Sequence, residues 1–292
     1  GIIVQNCNGT VIDNALVTGN GSGGFSFNDC GEFTLGSGNV IGGAGQENGW
    51  PVTITAGSSP NPSCVIPTAG NVNNDIRVAG GTSARSATWP HFAGLDYIVT
   101  SALTLNAGGV LTIEDGVQVL FNANQYFNIY GHLAAEGTAG TGVVFAPNGA
   151  VTWSSMSFRG TGSADLSNCT IEGATNGVWG LSSGTIAISN SELRNNSYGV
   201  KGENGTISFV NNQIVDNTTY GIYRTGAAMV FGQNLDEWND IHSNGSGNSG
   251  RDLRNGPGDL DAKFVYWGTT DEVEIESHIH DLTDDPALGR VN

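Results

Sequence analysis

Lysine is almost missing from this chain: there are two in 292 residues, and charged side chains of all kinds make up only 13 %. Ten basic residues stand against twenty-seven acidic ones, a net charge of -17. That balance repels phosphate backbones and anionic membrane surfaces, so nucleic acid is set aside as a partner. No run approaches the ~18 apolar residues of a membrane span, and no membrane insertion is expected. The first residues, GIIVQNCNGT, lack the charged, apolar and small-residue segments of a signal peptide, which suggests a soluble, mature or excised piece. Cysteines at 7, 30, 64 and 169 show neither CxxC pairing nor the dense spacing of a disulfide scaffold. No metal site and no cofactor is expected, apart from weak surface binding of calcium by the acid excess.

Uncharged polar residues take the place of charge. Gly, Asn, Ser and Thr are turn and strand-face residues rather than helix formers, and here they fall into a period. Gly177-Val178-Trp179, Gly199-Val200-Lys201 and Gly221-Ile222-Tyr223 recur every 22 residues. Each precedes an alternating strand: TIAIS from Thr185, TISFV from Thr206 and AMVFG from Ala228. A third element follows, Asn190 to Leu193 and Asn211 to Ile214, with Asn239 and Ile241 as a variant, and Asn196, Asn217 and Asn244 close the units. Near the amino terminus Gly1-Ile2-Ile3-Val4 matches Gly24-Phe25-Ser26-Phe27, Cys7 matches Cys30, and Gly49 to Ile54 begins a third copy.

Three short strands per unit, separated by Gly and Asn corners, bring the chain back above its starting point after three turns. The predicted fold is all-β, a right-handed parallel β-helix with a short C-terminal capping α-helix at about residues 270–280. Ile186 and Ile188, or Ile207 and Phe209, then face inward, and corner asparagines bond to their equivalents in the next coil. Leucine-rich repeats share the period, but their leucine framework and helix pattern are absent. Residues 1–55 read as coils of an N-terminal β-helix segment. The Pro/Gly-rich stretch 56–74 reads as a linker or break, and 75–292 as the main β-helix with its cap.

Several segments carry a family resemblance: TWP at 88–90, YIV at 97–99, LTIEDGVQVLF at 111–121, GHLAAEGT at 131–138 and VVF at 143–145. They resemble the opening coils of secreted or surface-exposed right-handed parallel β-helix repeat proteins of bacterial type. The closing YWGTTDEVEIESHIHDLTDDPALGRV resembles the terminating segment of that group. The resemblance implies an extracellular or cell-surface location and a surface, adhesive or polysaccharide-associated role. Enzymes of this fold act through a site on the outside of the coils.

Four sets of residues are candidates for function. In the terminal helix, Thr269 or Thr270 reads as the N-cap, Thr269 with Glu272 has capping-box spacing, and Val273, Ile275 and Ile279 form an apolar strip suited to covering a solenoid end. His278 and His280 could share a metal only on an extended segment, since on a helix residues two apart diverge by about 200°. Lyase chemistry would draw on Glu192, Arg194, Lys201, Glu203 and Asp216, with Arg194, Asp216 and Glu192 the weak catalytic candidates; a solvated polar rim explains the same residues. Trp179, Tyr198, Tyr220 and Tyr223 recur near the first corner, where they either stack on sugar rings or fill the corner. Cys7 and Cys30 occupy matching places in consecutive coils, at a spacing that a disulfide or a ladder of reduced thiols would both accept.

The expected function is therefore a non-catalytic structural or adhesive module: a stalk, an adhesin segment or a subunit of a head-to-tail fibre. Its partners would be further copies or neighbouring repeats, and glycans. The alternative is a β-helix that binds or degrades polysaccharide by lyase- or hydrolase-like chemistry. Ice binding is set aside, because Thr-x-Thr does not recur at matching positions.

Overall fold

The computed structural model describes residues 1–245 and 251–292. Its main sheet stacks twelve strands, one per coil, from Ile2–Gln5 to Val265–Tyr266. A second sheet has nine strands, from Gly81–Ser83 to Ile279–His280, and a third has seven, from Ala87–Trp89 to Ala228–Val230. Consecutive strands within each sheet pair in parallel. Among the described residues the single α-helix is Glu272–His278. The chain is thus a parallel β-solenoid of twelve coils, the architecture that the repeat predicts.

Register converts the repeat into a core. Ile171, Leu193, Ile214 and Ile241 pair in sequence along the main sheet, and all are fully buried. Ile186 pairs with Ile207 and Ile188 with Phe209, also buried, as their alternation requires. Each such side chain removed from water contributes roughly 1.5–3 kcal/mol. Stacked rings fill the wider coils: Phe121 lies 4.3 Å from Trp153 and Trp89 5.1 Å from Tyr97.

The corners depend on asparagine in two ways. Asn168, Asn190 and Asn211 hold φ of 49°, 48° and 56°, the left-handed conformation that Asn tolerates better than most residues. A second set is buried and faces its own kind. Asn196 donates its backbone N–H and its Nδ2 to Asn217 Oδ1, both at 3.1 Å. Asn217 does the same to Asn244 Oδ1 at 3.0 and 2.8 Å, and Asn244 to Asp252 Oδ1 at 2.9 Å. Each Nδ2 also reaches a carbonyl one coil back, Ile171, Leu193 or Ile214. Parallel ladders run through Asn212 and Asn239 and, near the amino terminus, through Asn20, Asn48 and Asn71.

These ladders explain the recurring glycines. A Cβ at Gly199 would stand 2.7 Å from the Gly221 carbonyl oxygen and 2.8 Å from Asn217 Nδ2. A Cβ at Gly177 would stand 3.1 Å from Asn196 Nδ2, and one at Gly221 2.6 Å from Asn244 Nδ2. The glycine keeps room for the buried amide of its own coil, which no larger residue leaves.

The interruption expected at 56–74 is confined to two faces. The main sheet runs across it, with Val52 paired to Ile76 and Ile54 to Val78. What changes is the cross-section. The first coils carry a three-stranded sheet, ending at Ser59–Pro60, and a two-stranded one, Leu16–Val17 with Val40–Ile41. At the junction, main-chain pairing gives way to the Ser59 hydroxyl, which donates to Thr88 O and accepts from Thr88 N, both at 3.0 Å. The prolines therefore mark a remodelled corner within one continuous solenoid.

The two ends differ. At the first coil Ile3, Val11 and Leu16 are exposed on edge strands, each paired on one side only. At the other end, Asp271 is the helix N-cap, accepting from Val273 N at 2.9 Å and Glu274 N at 3.2 Å, so Thr269 and Thr270 do not hold that place. The Asp carboxylate, standing on the residue next to the helix, accepts from both amides. Nor does the helix bury an apolar strip: Val273 is 81 % exposed, Ile275 only leans on the core, and Ile279 is buried as a strand residue beyond the helix. Segment 288–292 completes the closure, with Leu260 N bonded to Arg290 O and Asn292 N to Leu260 O, both at 2.8 Å.

Replacing Asn217 by Ala takes the Oδ1 acceptor from the Asn196 backbone N–H and Nδ2 and the Nδ2 donor from the Leu193 carbonyl, and leaves Asn244 Oδ1 with the backbone N–H of residue 217 alone. Chemical denaturation is expected to show a loss on the order of 2–4 kcal/mol. A change below about 0.5 kcal/mol would contradict a structural role for the ladder.

Candidate functional site

The outward side of the nine-stranded sheet carries two columns set by register. One runs through Asn128, Ser157, Trp179, Lys201, Tyr223, Arg254 and His280, residue paired to residue in successive coils. The other runs through Tyr126, Ser155, Asn176, Tyr198 and Tyr220. The four aromatics named from the sequence are thus brought together, and they are half-buried on the outer surface rather than in the core. Their inward neighbours Val178, Val200 and Ile222 fill the interior.

The rings sit among cations. Lys201 Nζ lies 4.5 Å from the Trp179 centroid, and the Arg159 guanidinium, from the preceding coil, lies 5.7 Å away. Arg254 stands 4.9 Å from the Tyr223 ring and Arg251 5.3 Å from Tyr220. Tyr198 stacks on Tyr220 at 6.2 Å and meets Tyr223 edge-on at 5.5 Å. Such contacts add on the order of 0.5–1 kcal/mol each at exposed sites and hold the rings in fixed orientations. One carboxylate joins them: Glu203 accepts from Lys201 Nζ at 2.9 Å and from Trp179 Nε1 at 3.0 Å. Burial works to raise the Glu203 carboxyl, but those two bonds and the Lys201 and Arg159 charges outweigh it and hold the group below its ordinary value.

Arg159, Arg251 and Arg254 are not visible in the repeat. Arg254 follows its column neighbour Tyr223 by 31 residues, where the three steps from Ser157 to Tyr223 are 22 each, so an irregular excursion hides its place. The available signal was the scarcity of basic residues, four of which converge here.

The catalytic candidates lie elsewhere. Arg194 and Glu192 are on the main sheet, and Arg194 is clamped between Glu172 at 2.8 Å and Glu192 at 3.0 Å. The Glu172 bond, outweighing burial, raises the already high pKa of Arg194, with the Glu192 charge adding to the effect, so the guanidinium stays protonated. Asp216 is exposed at a left-handed corner with φ of 54°, as is Asn195 in the coil before. An open groove of about 460 Å³ touches Glu192, with Thr138, Asn168, Asn190 and Asn211 among its other walls. Glu192 is the sole carboxylate lining it, whereas glycoside hydrolysis commonly uses two.

The two histidines part company. The helix ends at His278, whose Nδ1 meets the buried Asp252 at 2.8 Å and so closes the Asn196–Asn217–Asn244 ladder. His280, on the following strand, lies 3.8 Å from Asp284. Among the described residues no group of three or more His, Cys, Asp and Glu side chains is arranged to hold a metal ion.

Cys7 and Cys30 are neighbouring free thiols rather than a disulfide, with Cys30 Sγ turned to the Val4 carbonyl at 3.4 Å. Burial, reinforced by the hydrogen bond with Cys7, pushes the Cys30 thiol up to about 11. Burial pushes Cys169 up to about 12 and raises Cys64 as well.

No known protein family, curated protein or solved structure matches the chain.

Because the thiolate is the reactive form, raised values keep these thiols neutral and inert at about pH 8. Iodoacetamide at that pH is expected to spare Cys30, Cys64 and Cys169 in the folded protein and to label all four cysteines after unfolding, read by mass spectrometry. Rapid native labelling of Cys169 would contradict its burial.

Proposed function

We propose that this chain is a non-catalytic extracellular or cell-surface β-helix module that adheres to glycans. The observation that carries the reading is the outward strip of Trp179, Tyr198, Tyr220 and Tyr223, braced by cations on a rigid sheet. Half-buried rings of this kind present apolar edges and hydroxyls together, the combination that suits polyhydroxylated partners. The solenoid supports the role by fixing the strip's spacing, so little ordering entropy opposes binding.

Catalysis is the weaker reading. Glu192 and Arg194 satisfy one another, and Asp216 serves a corner. Head-to-tail stacking of copies asks for open strand edges at both ends. The described C-terminal end is covered by the helix and by 288–292.

Incubation with a panel of acidic and neutral polysaccharides, followed by separate assays for bound protein, unsaturated ends and reducing ends, tests the proposal. Retention without product is expected. Product formation that disappears in Arg194→Ala or Asp216→Ala would contradict it.

A further inference from the structure

We infer that the strip takes a polyanionic glycan, one whose sugars bear carboxylate or sulfate groups, rather than a neutral polymer; this rests on the glycan-binding reading above. Four observations converge. The chain holds twenty-seven acidic residues, yet neither outward column contains one. Of its ten basic residues, Arg159, Lys201, Arg251 and Arg254 gather on this face. Glu203 neutralises one of them.

The rings themselves argue in the same direction. Cations from the coils on either side approach Trp179, and others lie against Tyr220 and Tyr223. A neutral sugar that needs an open ring face therefore meets guanidinium or ammonium groups first. What the strip offers outward is ring edges, tyrosine hydroxyls and cationic heads.

Among the described residues, Arg251 and Arg254 have no carboxylate within ion-pair distance and no acceptor for their side-chain N–H groups. A guanidinium fork matches a carboxylate or sulfate with two parallel hydrogen bonds. Coils rise ~4.8 Å, so Trp179 to Arg254 spans ~14 Å, a track for several successive units of a polymer. The overall charge of -17 opposes a polyanion at long range. At ~0.15 M salt the Debye length is ~8 Å, so the local cations decide.

Isothermal titration with polygalacturonate, chondroitin sulfate, neutral dextran and single-stranded oligo-dT separates the outcomes. The expected result is binding of at least one acidic polysaccharide at ~0.15 M salt and its loss near 1 M, with the two acidic arms telling carboxylate from sulfate preference. Arg254→Gln and Lys201→Gln should each weaken that binding at least about tenfold. Arg85→Gln, at an ion pair with Asp29 far along the chain, should leave it unchanged. Unaltered melting temperatures show that the variants are folded. Dextran binding as tight as acidic binding, or insensitivity to Arg254→Gln, overturns the inference while leaving a glycan-binding module. Binding of no polysaccharide overturns both, and equal affinity for oligo-dT overturns the glycan assignment.

Discussion

Buried asparagine carboxamides, each bonded to the same group one coil on, are the constraint that organises this solenoid. A parallel β-helix must turn a corner three times per coil, and each corner leaves backbone N–H and C=O groups that no strand ladder satisfies. Asn196, Asn217 and Asn244 supply both a donor and an acceptor at that point, and Asp252 with His278 terminates the series. An amide ladder has one register in which every member is paired. A slip of one residue would set Asn196 beside the exposed Asp216 or Thr218 instead of the buried Asn217 and leave its amide unsatisfied, at a cost of about 1–3 kcal/mol per group. The glycines that face these amides are a consequence of the ladder rather than independent features.

The same register dictates the surface. Inward positions repeat because the core repeats, and outward positions inherit the stacking without having to match. On the main sheet, opposite charges are tied together, as in Glu172, Arg194 and Glu192. On the nine-stranded sheet, rings and cations alternate, with Glu203 paired to Lys201 beside them. A column of Trp179, Lys201, Tyr223 and Arg254 is an electrostatic exception in a chain this acidic, held in place by a backbone that the amide ladder keeps rigid.

Much of the fold was legible in the sequence, because a repeat reports its own geometry. The inward set Ile186, Ile188, Ile207 and Phe209, and the closing asparagines at 196, 217 and 244, could be placed from spacing alone. The helix cap could not: Thr269, Thr270 and Asp271 are all good N-caps, and only three-dimensional closure selects Asp271. The Pro-rich stretch looked like a break because prolines block pairing where they stand, while the main sheet passes them by on another face. For the candidate site, the aromatics were visible, but their direction was not. A ring at a β-helix corner satisfies inward and outward readings equally until its neighbours are known. Arg254 was hidden because its coil is longer than the repeat, which moves it out of the 22-residue frame.

The central claim is that the ring-and-cation strip is a recognition surface for acidic glycan. Crystals of the protein soaked with an oligogalacturonate test it most directly. The account predicts sugar density along Trp179, Tyr223 and Arg254, with a carboxylate within hydrogen-bond distance of the Arg254 guanidinium. Density in the groove beside Glu192, with the strip left bare, would contradict it.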